Sequence, residues 1–381
     1  MNMANEPLSA ASPVRAIAFY LPQFHPIPEN DRWWGKGFTE WTNVTRARPS
    51  FAGHYQPHLP ADLGFYDLRV PEVLEQQAAL AREHGIHGFC YHYYWFAGKR
   101  LLERPVETMR TSGRPDFPYC LCWANENWTR RWDGAEEDVL IAQHSSRADD
   151  ESFIRGLLPH LRDPRYIRVD GRPLILIYRV GMLPNPRATA ALWREVCRSE
   201  GIGELYLCAA KTFDTSDPRP YELDALVEFP PHGARVLTAN LQVDITNPDY
   251  RGSVYDYREF VQDLLATPEP LYVSHPTVMP GWDNTARLPN VANIFINAAP
   301  EIYEVWLREV VARAVEQRRP EERLVFINAW NEWAEGTHLE PDRRYGRQYL
   351  LATRRALMGA PAGGRPYARY RENQVRSHLP V

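Results

Sequence analysis

The chain has 381 residues, 44% hydrophobic and 24% charged, which is enough apolar surface for a sizeable core and excludes a disordered or fibrous protein. Its 44 Lys and Arg against 48 Asp and Glu leave a net charge of −4 with the signs mixed along the chain, so no basic face is offered to nucleic acid. The 33 prolines, about 9% against a usual ~5%, indicate long, stiff loops on a regular scaffold, and 12 tryptophans accompany them.

Short apolar runs rich in β-branched and aromatic residues recur along the chain, most of them separated by stretches of helical periodicity. Residues 14–21 (VRAIAFYL) form the first predicted strand, and a long polar and aromatic loop follows, with a helix near 70–84. The second strand is 88–95 (GFCYHYYW) with a helix near 101–110, and the third is 118–124 (PYCLCWA) with a helix near 149–161. In that third helix Asp149 and Asp150 complement the dipole at its start. The Asp170-Gly171 pair signals a hairpin, adding a small strand at 166–169 before the fourth strand, 173–178, and a helix near 187–199. The fifth and sixth strands are 205–210 and 225–229, a helix near 255–265 leads to the seventh at 270–278, and a helix near 300–317 leads to the eighth at 324–330. A last helix is predicted near 347–357.

Eight strands in this alternation are the requirement of a (β/α)8 TIM barrel, an α/β fold, so one domain is expected over residues 14–358. A flexible N-terminus (1–13) precedes it, and a Gly-, Pro- and Arg-rich extension (359–381) follows. The five cysteines, Cys90, Cys120, Cys122, Cys197 and Cys208, sit in apolar runs and read as buried free thiols. Cys120 and Cys122 face one side of a strand, but no second pair completes a metal site. Reduced thiols, no leader signature and no membrane span together predict a cytoplasmic protein of undetermined oligomeric state.

Barrel active sites lie at the C-terminal ends of the strands, so the residues after each run are the candidates. They are polar and aromatic: His25, Glu40 and Trp41 after strand one, His92, Tyr94 and Trp95 at strand two, Asn125, Glu126 and Trp128 at strand three, and Trp330, Asn331, Glu332, Trp333 and Glu335 at strand eight. Sugars need this mixture, because an aromatic face stacks on pyranose C–H groups while carboxylates and amides bind hydroxyls. Most of these residues also have a structural reading. Trp33, Trp34 and Trp41 fit an apolar plug under a long loop, Glu40 and Glu126 fit caps or solvated acids, and His25 and His92 fit a core. Glu332 and Glu335 are different: three apart near a strand end, they enter one cleft if the turn is helical, and paired carboxylates are the machinery of glycoside cleavage. Trp330 and Trp333 would wall them and raise the acid's pKa.

The segment Asn331-Glu332-Trp333-Ala334-Glu335-Gly336-Thr337 with Leu339-Glu340-Pro341 resembles the Glu-Trp-x-Glu-Gly motif of glycoside hydrolase family 99. The opening, 19–25 (FYLPQFH) through 34–41 (WGKGFTEW), resembles more closely the family-99-like, WbsX-type proteins of bacterial surface-polysaccharide (O-antigen, lipopolysaccharide) gene clusters. The resemblance implies a (β/α)8 barrel and, from family 99, a retaining, metal-independent glycosidase. In that family the first Glu of the motif is the base on the substrate 2-hydroxyl, forming a 1,2-anhydro sugar, and the second is acid then base. By motif position those roles fall on Glu332 and Glu335. The mannose-binding residues of family 99 find no match outside the motif.

The expectation is therefore a carbohydrate-active enzyme, a glycosidase or transglycosylase acting on an oligo- or polysaccharide, with no cofactor and no metal. A glycosyltransferase using an activated sugar is the alternative, opposed by the missing phosphate-binding loop and acidic metal motif. A non-catalytic glycan-binding barrel is the third reading. Asp133, Asp149, Asp150 and Asp283 are loop acids that a cation would need to gather.

Overall fold

The computed structural model describes residues 12–130, 135–143, 146–212, 215–233 and 236–359. The parallel strands are β1 (Arg15–Tyr20), β2 (Ile86–Phe96), β3 (Tyr119–Trp123), β4 (Arg172–Ile177), β5 (Tyr206–Lys211), β6 (Ala225–Glu228), β7 (Ser274–His275), β8 (Thr277–Val278) and β9 (Leu324–Ile327). They hydrogen-bond in the order β7-β6-β5-β4-β3-β2-β1-β9-β8. Because β7 and β8 are one stave interrupted at Pro276, nine segments make an eight-stave barrel, as the alternation predicted. The single predicted strand at 270–278 is the exception, since proline has no N–H for the ladder and the stave divides there.

The helices are α1 (Pro28–Trp34), α2 (Glu40–Arg46), α3 (Pro71–Glu83), α4 (Arg104–Ser112), α5 (Arg147–Leu161), α6 (Pro186–Ser199), α7 (Tyr257–Ala266), α8 (Pro300–Gln317) and α9 (Gln348–Met358). Seven of them match predicted helices; α1 and α2 fold inside the loop after β1. Among the described residues, the connection between β5 and β6 holds a 3-10 turn, Arg219–Tyr221, in place of an α-helix. The predicted hairpin before the fourth strand forms, with Arg168–Val169 paired to β4. Among the described residues no helix is long and apolar enough to cross a membrane. The predicted tail from residue 360 and the start of the chain before residue 12 lie outside the described residues.

The strands read as continuous apolar runs because both faces are covered. One parity of β1 and β2, Phe19, Cys90, His92 and Tyr94, points into the barrel, while the other faces the helices. Tyr20 thus donates to Gln77 of α3 at 2.7 Å, and Trp123 of β3 stacks on Phe153 of α5 at 4.4 Å, with Trp193 of α6 5.0 Å beyond. Helix caps hold the outer ring in register: the Ser146 side chain accepts from Asp149 N–H at 3.1 Å, and that of Asn185 from Ala188 N–H at 3.1 Å. Removing Trp193 to Ala costs about 3–5 kcal/mol by the usual cavity cost of a buried aromatic. The five cysteines are buried and free.

Candidate active site

After β9 the chain forms a tight hairpin, Asn331–Glu332 paired with Thr337–His338, and its tip is a 3-10 turn, Trp333–Glu335. The helical turn that the three-residue spacing needed is present. Asn331, fully buried, fastens this hairpin to the end of β1: its Oδ1 accepts from Leu21 N–H at 2.7 Å and its Nδ2 donates to Leu21 C=O at 3.0 Å. Below it lies Glu340, a buried carboxyl that accepts from Tyr66 OH (2.8 Å), Gln77 Nε2 (2.6 Å) and Trp333 Nε1 (2.7 Å). Burial pushes Glu340 up to about 7 against those donors.

The two carboxylates converge on a residue the sequence did not flag. Arg287 Nη2 lies 2.7 Å from Glu332 Oε1, Arg287 Nη1 lies 2.8 Å from Glu335 Oε1, and Glu40 Oε2 is 3.3 Å from the same guanidinium. Three acids therefore share one cation. Burial pushes Glu332 up to about 8, Arg287 pulling it down and Glu335 and Glu40 pushing it further up. Glu40 is raised by burial in the same way, while Arg287, which burial alone would lower, is held well above its ordinary value by Glu332, Glu40 and Glu335. Glu335 is the most accessible of the group, its side chain 24% exposed against 8% for Glu332 and none for Glu40.

Arg287 follows the 3-10 turn Asn284–Ala286, capped by Asp283, whose Oδ1 accepts from Thr285 N–H at 3.0 Å. The backbone N–H of Asp283 donates to Glu335 C=O at 2.7 Å, so the cation-bearing loop is bonded directly to the turn that carries Glu335. Gly336 makes this approach possible. Its φ is +63°, and a Cβ there would stand 2.9 Å from the Asp283 backbone. His54 Nε2 and Gln56 Nε2, each 2.6 Å from Asp283 Oδ2, hold the cap from the other side.

The remaining candidates divide by position. Tyr94 belongs with the carboxylates: Gln23 Nε2 donates to its hydroxyl at 2.9 Å, burial and the nearby Glu332 charge raise its pKa, and Trp128 packs on its ring at 5.1 Å. His92 points into the barrel and stacks on Phe19 at 5.8 Å. Asn125 holds the backbone N–H and C=O of Arg179 at 2.7 and 2.8 Å, and Glu126 pairs with the Arg179 guanidinium. Burial raises the Tyr178 phenol, and the charges of Glu126 and Glu335 push it the same way.

Other candidates are structural. Trp95 faces the helices, its Nε1 donating to Asp149 Oδ1 at 2.9 Å, because it has the outward parity of Tyr91 and Tyr93. Trp330 packs beneath the strands on Phe89 at 5.1 Å, and Trp41 donates to Tyr66 C=O at 2.9 Å while packing on Trp333 at 5.6 Å. Trp330 and Trp333 thus back the turn from within the core and are not an exposed wall. His25 is buried, and its charged neighbours are Asp67, Arg104 and Arg69; burial lowers it to about 4. The loop acids do not gather: Asp149 holds Trp95, Asp150 accepts from Thr189 at 2.7 Å, Asp283 caps its turn, and Asp133 lies outside the described residues.

Solved structures share this architecture. A glycoside hydrolase-like protein superposes with a TM-score of 0.56 at 16% identity, covering 93% of this chain and 97% of that one. The GH99 endo-alpha-mannosidase of Bacteroides thetaiotaomicron, in complex with BIS-TRIS-propane, gives 0.53 at 14% identity over 95% and 98%. Protein WxcX of Xanthomonas campestris pv. campestris, in strains B100 and ATCC 33913, is 51% identical over 349 residues, 92% of this chain and 50% of WxcX. The chain thus spans about half the length of these relatives. The family described as glycosyltransferase WbsX matches residues 16–353, a span holding Glu40, Arg287, Glu332 and Glu335, and the chain belongs to that family.

Proposed function

We propose that the chain is a retaining carbohydrate-active enzyme that breaks a glycosidic bond in a bacterial surface glycan through Glu332 and Glu335. The observation that supports it is the pair of carboxylates held on two nitrogens of one buried guanidinium, 2.7 and 2.8 Å away. Arg287 fixes both side chains, and Glu40 loads the site with a third negative charge that raises the basicity of Glu332.

In the first step ionised Glu332 takes the proton of the sugar 2-hydroxyl, O2 attacks C1, and the C1–O bond to the aglycone breaks as Glu335 gives its proton to the departing oxygen. In the second step Glu335 takes a proton from water, the new hydroxide attacks C1, the 1,2-anhydro ring opens, and O2 recovers its proton from Glu332. A carboxyl with a pKa of about 8 is a far better match for a sugar hydroxyl than an ordinary one. In this cycle Glu335, whose side chain is the more accessible of the two, meets the leaving group and then the acceptor.

An alcohol in place of water makes the same cycle a transfer. The description of the family as a glycosyltransferase favours this second reading. A panel of aryl glycosides and purified O-polysaccharides, run with water alone and with sugar acceptors and set against nucleotide-sugar turnover, tests the proposal. Glycoside cleavage lost in Glu335→Gln supports it, and turnover of nucleotide sugars alone refutes it.

A further inference from the structure

The returning strand of the catalytic hairpin carries a second cluster of donors. His338 lies across from Asn331 in the hairpin, and its ring stacks on Trp333 at 3.7 Å. Its Nε2 is 3.1 Å from Nδ1 of His58, a residue 280 positions away. One ligand atom from each of His58, His338 and Asp342 lies within 4.8 Å of the other two. The three residues line a cavity of about 270 Å³ that also touches Tyr55 and Trp282.

The surroundings are those of a ligand set. His338 Nδ1 sits 3.0 Å from Glu340 C=O, which only accepts, so Nδ1 carries the proton and Nε2 turns a lone pair toward His58. A histidine whose second nitrogen is held by a carbonyl is the usual arrangement of a metal-binding imidazole. Asp342 is oriented too: Oδ1 accepts from the backbone N–H groups of Arg344 at 3.1 Å and Tyr345 at 2.6 Å, and Oδ2 has a longer contact, 3.3 Å, from Tyr55 OH. Zinc–nitrogen bonds of about 2.0–2.1 Å in a tetrahedron separate ligand atoms by roughly 3.3–3.4 Å. The imidazole nitrogens stand within a few tenths of an ångström of that spacing. The neighbouring Asp283 is occupied by His54 and Gln56 and is not a ligand.

We propose that His58, His338 and Asp342 bind a borderline divalent transition ion of the zinc class, with its fourth position open to the cavity. Two imidazoles and one carboxylate suit that class of ion. The ion cross-links the loop after α2 to the returning strand of the catalytic hairpin, a site that the metal-free reading of the sequence did not foresee and that is independent of the proposed reaction.

The test uses the full chain, stripped with a chelator and dialysed, then titrated with Co²⁺ and back-titrated with Zn²⁺. One Co²⁺ per chain is expected, with visible d–d bands of a low-coordinate site that one equivalent of Zn²⁺ abolishes, and Zn²⁺ raises the Tm of the stripped chain. His58→Ala, at the least buried ligand, and Asp342→Asn should each weaken Co²⁺ binding by at least tenfold, with His58→Ala also losing the Zn²⁺-dependent rise in Tm. Absence of a saturable Co²⁺ spectrum in the unsubstituted chain overturns the site, and that result does not depend on whether any variant folds. Equal binding by a folded His58→Ala chain overturns it as well.

Discussion

If Glu332 is the base, the pH profile of kcat/KM is set by its ionised fraction. Burial and the neighbouring Glu335 and Glu40 charges push this carboxyl up to about 8 from an ordinary 4.5, so it ionises across the neutral range and not near pH 4.5. On an aryl glycoside that needs no leaving-group protonation, kcat/KM should rise by up to about tenfold per pH unit below the midpoint and level above it, with the midpoint in the neutral to mildly alkaline range. The causes can be perturbed separately. Glu40→Gln removes a charge that raises Glu332, so the midpoint should move to lower pH, while Arg287→Gln removes the cation that lowers it and should move the midpoint higher. Arg287→Gln also leaves a buried carboxylate group without its counter-charge, typically at a cost of about 3–5 kcal/mol, so Arg287→Lys is the companion variant that keeps the charge. Initial rates at substrate well below KM, across pH 5.5–9.5, give the profile. A falling limb near 8 would mean that Glu332 works as the acid, and a midpoint unmoved in Glu40→Gln would refute the electrostatic account.

Glu335→Gln should lose about 10²–10⁴-fold on substrates with poor leaving groups and much less on activated aryl glycosides, because only the former need protonation; equal losses would remove the acid role. A 2-deoxy substrate should be inert, since the first step needs the 2-hydroxyl, and its turnover would eliminate the 1,2-anhydro route. At temperatures well below the Tm of the metal-stripped chain, turnover should survive exhaustive chelation, as carboxylates supply both proton transfers; a loss there, restored by one divalent ion while the chain stays folded, would put a metal into the chemistry. Glu340 is held by the fold at about 7, above its unfolded value, so its contribution to stability is complete below about pH 4.5 and is lost as pH rises through 7. Glu340→Gln should accordingly flatten the fall in Tm between pH 5 and 8, which thermal melts across that range would detect.

The barrel is legible because strands covered on both faces are unbroken apolar runs, such as Ala16 to Tyr20, and because the outer helices alternate with them in length and period. The Glu332 and Glu335 pair is legible because both acids lie within four residues at a strand end. Arg287 is not, standing 45 residues before Glu332 in a polar loop with no periodicity of its own. His58 and His338 are hidden for the same reason, since only tertiary structure brings them together. The tryptophans teach a different lesson. Strand parity separates Trp95, which faces α5, from His92 and Tyr94, which face the barrel, so counting along β2 in twos would have moved Trp95 out of the site. Helix α2 is not legible in the sequence because its seven residues fall in an aromatic loop, yet that short turn is what buries Glu40 beside Arg287.

The stave divided at Pro276 also shapes how the barrel opens. β7 meets β6 through two residue pairs and β8 meets β9 through two, whereas β1 meets β2 through five. A cavity of about 110 Å³ runs along the same seam, lined by Ser274, Pro276, Thr277 and Glu228. Closure of the cylinder thus depends on its thinnest ladder, and amide hydrogens at 226–228, 274–275 and 277–278 should exchange with solvent by local separation of this seam while those of β1 and β2 wait for global unfolding.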